Sequence, residues 1–287
     1  MTCLNCPMKG SDITITDATT ASTADLCAAM AQAFSDYTIP VNLTVPAFRF
    51  MMKQRGLSET ASRIALIDGQ IAAIWLVSVR ANRSYLISSG TLPEHRGQGL
   101  ATALAHAAIE GLRKDRIASF QTEVLVENKT AARLYSKLGM TKSRDLSCYT
   151  ITGPTPHKPA AITDVSWANI AGETHALQDW PPSWQNSNAS ITAIASDARC
   201  FCARNATTLT GYAVLVPDNG RLLQIGVRPD ARRQGIGTAL INHALNATPD
   251  GRLGLINADA ADPGFAEFVR SFPCEQTQGQ FELITPC

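Results

Sequence analysis

The sequence predicts a mixed α/β protein built as two copies of one fold in tandem, the second shortened. Three observations carry that expectation. A glycine-bearing turn between a strand and an Ala/Leu-rich helix occurs twice, as Arg96-Gly97-Gln98-Gly99-Leu100-Ala101 and as Arg232-Arg233-Gln234-Gly235-Ile236-Gly237, each with a proline three residues before its first arginine. Gly153-Pro154-Thr155-Pro156-His157-Lys158-Pro159 holds three prolines and a glycine, continues neither a helix nor a central strand, and so reads as a linker at 153–159. Strand and helix patterns recur in the same order on either side of it, giving an N-terminal half at 1–152 and a C-terminal half at 160–287.

In chain order, Ile13-Thr14-Ile15-Thr16 alternates β-branched and polar residues as a first strand does. Ser22-Thr23-Ala24-Asp25 fits a capping box opening a helix through Leu26, Met30 and Phe34. The aromatic and Met-rich stretch at 36–52 is expected as a semi-irregular wall. Residues 63–67 and 71–79, joined by Asp68-Gly69, read as a β-hairpin. Then come a strand at 85–91, the first glycine turn, a helix at 101–112, a strand at 120–126, a helix at 131–138 and a closing strand at 145–151. In the second half, strands are expected at 200–204, 211–216 and 222–227. The second glycine turn follows, with a helix at 238–245, a strand at 253–257, a helix near 265–272 and a strand at 281–285.

At 287 residues the chain is long enough for two domains, each with its own core. A 45% hydrophobic, 17% charged composition is that of a globular protein, and a net charge of +1 argues against a nucleic-acid binder. Lys and Arg number 16 against 12 Asp and Glu up to residue 152, and 9 against 12 beyond it, so neither half demands a charged polymer as partner. No stretch approaches the roughly twenty apolar residues of a membrane span, and no basic segment followed by an apolar core opens the chain. A cytoplasmic location, without membrane or nucleic-acid partners and as monomer or homodimer, is the expectation. The eight cysteines read as small core residues of a reducing compartment, save Cys3-x-x-Cys6, which is half of a zinc site or part of a frayed terminus. No metal is expected.

A turn of this kind leaves backbone N–H groups unpaired at a helix N-terminus, where the macrodipole adds partial positive charge, and so makes a phosphate cradle. It lacks the Gly-Lys-Ser/Thr of a P-loop and the third glycine of a dinucleotide fingerprint. Arg-x-x-Gly-x-Gly/Ala resembles instead the pyrophosphate loop of the GCN5-related N-acetyltransferases, which move an acyl group from coenzyme A to an amine. Asn128-Lys129-Thr130-Ala131-Ala132-Arg133-Leu134-Tyr135-Ser136-Lys137-Leu138-Gly139-Met140 resembles that family's segment Asn-x-x-Ala-x-x-x-Tyr-x-x-x-Gly-Phe at every signature position but Met140.

The resemblance implies two acyl-CoA N-acyltransferase folds in tandem and acetyl-CoA as co-substrate. It implies coenzyme contacts from Thr91, Leu92, Arg96, Gly97, Gln98, Gly99, Leu100, Ala101, Asn128 and Ala131, and in the second copy from Val227, Arg232, Arg233, Gln234, Gly235, Ile236 and Gly237. The backbone N–H of Thr91 or Leu92 is expected as oxyanion donor, and Tyr135 as the acid that protonates the departing thiolate. Residues 84–91 carry no acid, so Glu123 on the next strand is the candidate base. Asp36, Tyr37, Phe48 and Met52 are the candidates for contact with a small-molecule primary amine, Asp36 either as partner of its ammonium or as a solvent residue at a helix end. Asn257-Ala258-Asp259-Ala260 is placed at the position of Asn128, and Phe268 where the tyrosine would stand, so the second half is expected to lack that acid. Two alternatives remain open at this point: a non-catalytic acyl-CoA-binding or regulatory protein, and an acetyltransferase acting on protein N-termini or lysines.

Overall fold

Residues 12–36, 43–156 and 158–287 are described by the computed structural model. The chain divides into two compact units, Met1–Thr122 with Thr285–Cys287, and Glu123–Ile284.

The first unit begins with β1 (Ile13–Asp17) and α1 (Thr23–Ala33). The capping box is formed: the Ser22 hydroxyl accepts the Asp25 N–H at 3.2 Å and the Asp25 carboxylate accepts the Ser22 N–H at 3.2 Å. Helix α2 (Val45–Arg55) replaces much of the irregular wall expected there. Thr44 caps it by accepting the Ala47 N–H at 3.3 Å, Pro46 sits in the first turn where a missing N–H costs nothing, and Gly56 ends it in the left-handed region. Its apolar run hid the helix, because only Phe48 and Met52, one turn apart, face the core.

The hairpin of β2 (Leu57–Ile67) and β3 (Gln70–Arg80) turns through Asp68 at φ 50° and Gly69 at φ 79°, the two positive dihedrals a tight hairpin needs. β4 (Arg83–Thr91) pairs antiparallel with β3, then leads into α3 (Leu100–Lys114) and β5 (Ser119–Leu125). β4 and β5 run parallel and pair from Arg83–Ser119 to Tyr85–Gln121, after which they part. Leu76 faces Ser88 while Val77 faces Leu86, so Ile87 is bulged out of β4.

The second unit holds α4 (Lys129–Lys137), β6 (Thr141–Ile151), β7 (Thr163–Val165), α5 (Asn188–Ala193), β8 (Arg199–Asn205) and β9 (Thr208–Val216). β10 (Arg221–Val227), α6 (Ile236–Asn246), β11 (Leu253–Asp259), α7 (Pro263–Arg270) and β12 (Cys274–Pro286) follow, and the strands lie in the order β12-β6-β11-β10-β9-β8-β7. β10 and β11 are parallel at Arg221–Gly254 and Leu222–Leu255 and then part. Leu222 faces Leu215 and Gln224 faces Val214, so Leu223 is bulged out. Ile87 and Leu223 each stand four residues before the last residue of their strand, so the repeat seen in the turns extends to the defect in the strand before them. Ile151, Phe201, Leu215, Leu240, Leu253 and Val269 pack in the core of this unit.

β6 precedes the linker and yet pairs with β11 on one side and β12 on the other. The compact units therefore divide at 122/123 rather than at 153–159. Arg144 on β6 ties the three strands: its guanidinium reaches Asp259 at 3.3 Å and Glu282 at 2.8 Å, with all three side chains at most 17% exposed. Burial opposes its charge, but the two carboxylates outweigh that and hold its pKa above the ordinary arginine value. Arg144→Ala would leave two half-buried carboxylates facing each other, and should lower unfolding stability by about 3 kcal/mol in urea titration.

Cys27, Cys148, Cys200 and Cys202 are free and buried, and burial pushes the Cys200 thiol up to about 11. These four should resist an aromatic disulfide reagent at neutral pH and react on unfolding; rapid native-state labelling of Cys200 would contradict the packing described.

Candidate functional site

In the first unit, β4 passes through a single 3-10 turn (Pro93–His95) and reaches α3 at Gly99, its N-cap. Gly97 and Gly99 are left-handed, at φ 75° and 79°, so residues 97–99 bend outward and are exposed while Leu100 is buried as the anchor of the helix. A Cβ on Gly99 would meet nothing within 4 Å. The first N–H groups of the fifteen-residue α3 point from this open turn, which gives it the local positive potential of an anion site.

Arg96 shapes the turn rather than standing ready for a ligand. Its Nε donates to the carbonyl of Thr91 at 3.2 Å, the last residue of β4, and its terminal nitrogens donate to the Asp36 carboxylate at 2.5 and 2.8 Å and to the Ala33 carbonyl at 3.0 Å. The hydrogen bond from Arg96 holds the Asp36 carboxyl below its ordinary value. Asp36, an exposed residue beyond the end of α1, is thus paired with Arg96, and the pair stands at the surface with side chains 53% and 41% exposed.

The expected role of Leu92 is corrected. Its N–H donates to the Ala72 carbonyl at 3.0 Å, so it is not a free oxyanion donor. Thr91 is placed otherwise: an antiparallel ladder alternates, and with Leu92 bonded to β3, the Thr91 N–H turns to the side where β5 has departed. Phe48 is 1% exposed and Met52 5%, and both line a cavity of about 620 Å³ between α2 and the start of β2. Tyr37 lies outside the described residues.

The second unit repeats the staple. Arg232 Nε donates to the carbonyl of Val227 at 3.1 Å, the last residue of β10, and its guanidinium pairs with Asp179 at 2.5 Å. Gln234 donates to the Asp230 carbonyl at 3.5 Å, Arg233 takes φ 61°, and Gly235 caps α6 at φ 89°. Access differs, however. The backbone O and N of Lys158 lie 3.2 and 3.5 Å from where a Cβ on Gly235 would be, and the Phe268 ring lies 3.1 Å from that of Gly237, beside Ile236. Thr155 N–H donates to Asn242 Oδ1 at 3.2 Å and Asn242 Nδ2 to the Thr155 carbonyl at 2.7 Å, which fastens the linker to α6. The second turn is thus formed as the first is, with residues 232–234 exposed and Lys158 lying beside Gly235.

Asn128 is the N-cap of α4, accepting the Ala131 N–H at 3.0 Å. Tyr135, two turns further along the helix, is 5% exposed, and Glu123 is half-buried on β5. In the second copy the residue that caps α7 is Asp262, accepting the Phe265 N–H at 3.0 Å, not the Asn257–Ala260 stretch. Seven residues beyond each cap stand Tyr135 and Val269, so Phe268 is one position off; the second copy has no phenol at either place. Asp179 and Lys158 escaped sequence reading because each acts on a turn more than fifty residues away. Among the described residues no group of three or more His, Cys, Asp or Glu could hold a metal ion, and no helix is long and apolar enough to cross a membrane.

A family model described as the Acetyltransferase (GNAT) family matches residues 29–140 and 167–263. The fold is similar to a GCN5-related N-acetyltransferase from Sphaerobacter thermophilus, at TM-score 0.70 and 16% identity over 96% of this chain and 95% of that one. It is similar to a putative acetyltransferase from Pyrococcus horikoshii, at TM-score 0.73 and 10% identity over 100% and 93% of the two chains. A tandem GNAT protein from the clavulanic acid biosynthesis pathway matches at TM-score 0.68 and 14% identity over 96% and 98%. No curated protein matches the sequence.

Asp36→Asn and Arg96→Met should each leave the fold standing and speed amide exchange at residues 97–101 several-fold. Because the Asp36 carboxyl is held low, the staple is present at neutral pH and lost as the pH falls through that lowered value. Acidifying the wild type below 3.8, the ordinary aspartate value, should therefore move its exchange toward that of the variants.

Proposed function

The chain belongs to the acetyltransferase (GNAT) family, whose members transfer an acyl group from acyl-CoA, and on that premise we propose that its N-terminal half moves an acetyl group from acetyl-CoA to a primary amine of a small molecule. The observation that supports this half is the contrast between the two turns: a Cβ on Gly99 would meet nothing within 4 Å, and one on Gly235 would lie 3.2 Å from the Lys158 carbonyl oxygen. The duplicated halves, 1–152 and 160–287, then have different tasks.

In this reading the backbone N–H groups of residues 97–101 hold the coenzyme's pyrophosphate. The pantetheine arm runs along β4 beyond Tyr85, where the parting of β5 leaves strand backbone to pair with its amides. The amine attacks the thioester carbonyl, and the Thr91 N–H stabilises the tetrahedral oxyanion, an interaction worth roughly 3 kcal/mol per donor in hydrolases. Collapse breaks the carbon–sulfur bond, and the thiolate takes the phenolic proton of Tyr135. A phenol near pKa ~10 is protonated at neutral pH and close enough to a thiol near ~8.5 to act as this acid. Glu123 accepts the proton that the amine releases. Tyr135, Asn128 and Glu123 enter through the segment match and their place on α4 and β5.

Calorimetry with acetyl-CoA tests the assignment to the first half. The wild type should bind one equivalent and Gly99→Trp none, while Gly235→Asn, which tolerates a left-handed backbone, should bind as the wild type does. Binding lost only in the Gly235 variant would move the site to the second half. Tyr135→Phe should lower kcat about a hundredfold with the acetyl-CoA KM nearly unchanged. An unchanged kcat would remove Tyr135 as the acid, and binding without turnover towards any amine would favour a non-catalytic acyl-CoA-binding protein.

A further inference from the structure

The cavity of about 620 Å³ beside the start of β2 is lined among others by Thr23, Arg49, Met52, Leu57, Glu59 and Thr60. Its volume is that of a small-molecule site, ~300–1,000 Å³. The fold makes room for it in two ways. β1 pairs with β2 only from Arg63 onwards, so among the described residues no strand pairs with residues 57–62 on that side. β2 itself also leaves its ladder there: Ser58 faces Val77 and Arg63 faces Trp75, so residues 59–62 stand against Leu76 alone.

This excursion is held in place. Ser62 is fully buried and stands in for a ladder partner: its hydroxyl accepts the Val77 N–H at 2.8 Å and donates to the Ser58 carbonyl at 2.7 Å. Ser58 Oγ accepts the Ala61 N–H at 3.3 Å, and the Arg63 guanidinium donates to the Thr60 carbonyl at 2.6 Å. Glu59 and Thr60 are thereby set on the cavity's wall. The site is also separate from the reacting centre proposed above. Leu57 faces Ser78 on β3 and Thr91 faces Ala73, five residues away, which at ~3.3 Å per residue is about 17 Å. A reacting amine has to come within ~3.5 Å of its carbonyl.

Charge and size narrow the class. Arg49 and Lys53 stand one turn apart on α2, a spacing at which like charges disfavour each other, and that helix carries no acid to relieve them. Glu59 belongs to the excursion of β2; it lines the same cavity as Arg49, and the two do not pair. Met52 and Leu57 add apolar surface. Cations from one element, an anion from another and apolar side chains match a zwitterion with an apolar body. In a free amino acid both charges sit on one carbon and most of the volume is left to water, whereas a dipeptide sets them a residue apart. We propose that this cavity binds a dipeptide with apolar side chains and free ends, its ammonium beside Glu59 and its carboxylate beside Arg49 and Lys53. Binding there requires no coenzyme, so the inference does not rest on the acyl-transfer reading.

Titration of the whole chain with leucyl-leucine in the absence of coenzyme tests it, read from the backbone amide resonances of residues 48–53 and 57–62. The dipeptide should shift both groups saturably, with a Kd of about 1 mM. Its N-acetyl form, its C-terminal amide and free leucine should each bind roughly fivefold more weakly. Glu59→Gln should bring the dipeptide down to the affinity of its N-acetyl form and leave that form's own binding unchanged, which a merely structural change would not do. Arg49→Gln combined with Lys53→Gln should act in the same way on the dipeptide and its amide. The proposal fails if the dipeptide leaves both groups of resonances unmoved, or if leucine or either capped form binds the wild type as tightly. It fails equally if the wild type acetylates the dipeptide and Glu59→Gln does not, since its amine would then sit at the reacting centre. Binding of the dipeptide by a chain that takes up no acetyl-CoA would sink the acyl-transfer reading and leave this one standing.

Discussion

An arginine folded back onto the last carbonyl of its own strand is the contact on which each glycine turn depends. In the first unit it joins Arg96 to Thr91, in the second Arg232 to Val227, and each guanidinium is then held by a carboxylate, Asp36 from the segment between β1 and β2 and Asp179 from that between β7 and β8. The carbonyl fixes where the strand stops, and the carboxylate fixes the direction in which the chain leaves. With those two points set, left-handed residues must follow, and the helix begins with its N–H groups facing outward. The anion site so formed is made of backbone, with its nearest cation already engaged. What such a turn offers an anion is hydrogen-bond geometry and the helix dipole.

A second constraint holds the C-terminal unit together. β6 lies between β11 and β12, and Arg144 places a charge there that two carboxylates share. A buried ion pair is weak evidence for stability, since its partners lose hydration, but a guanidinium bridging two strands fixes which residues face each other. Register in this part of the sheet is thereby specified by charge as well as by apolar side chains, at a place where β11 and β12 both carry irregularities in their pairing with β6.

What was legible in the sequence was local. The Ser22–Asp25 capping box, the Asp68-Gly69 hairpin and both glycine turns are set by neighbours a few residues apart, and all stand where the pattern put them. Strand bounds moved by at most four residues, except that β2 begins six residues earlier and β12 seven, the latter because its polar first half gave no alternation to read, and the three-residue β7 was not read. Helix α2 was missed because a Phe- and Met-rich run with a proline reads as irregular until Thr44 and Gly56 are recognised as its caps. The site was legible as a motif but not as an arrangement. That Asp36 faces Arg96, that Leu92 is bonded to Ala72, and that Lys158 lies over Gly235 are consequences of packing across dozens of residues, which no spacing rule conveys. The placement of Asn257 opposite Asn128 has the same origin: Asn128 caps its helix, while the cap of α7 is the aspartate five residues beyond Asn257.

Gly235 carries a lesson about inheritance. A glycine at the head of a phosphate turn is ordinarily kept because a ligand needs the space beside it. Here the linker's own backbone borders that space, and a Cβ at the position would lie 3.2 Å from the Lys158 carbonyl oxygen, so a side chain there needs a small shift of the linker. Selection on the folded chain alone would therefore preserve the signature after a duplicated copy had lost its ligand. In a tandem protein, a glycine fingerprint can thus be held by packing as well as by a ligand, and the fingerprint alone does not tell the two apart.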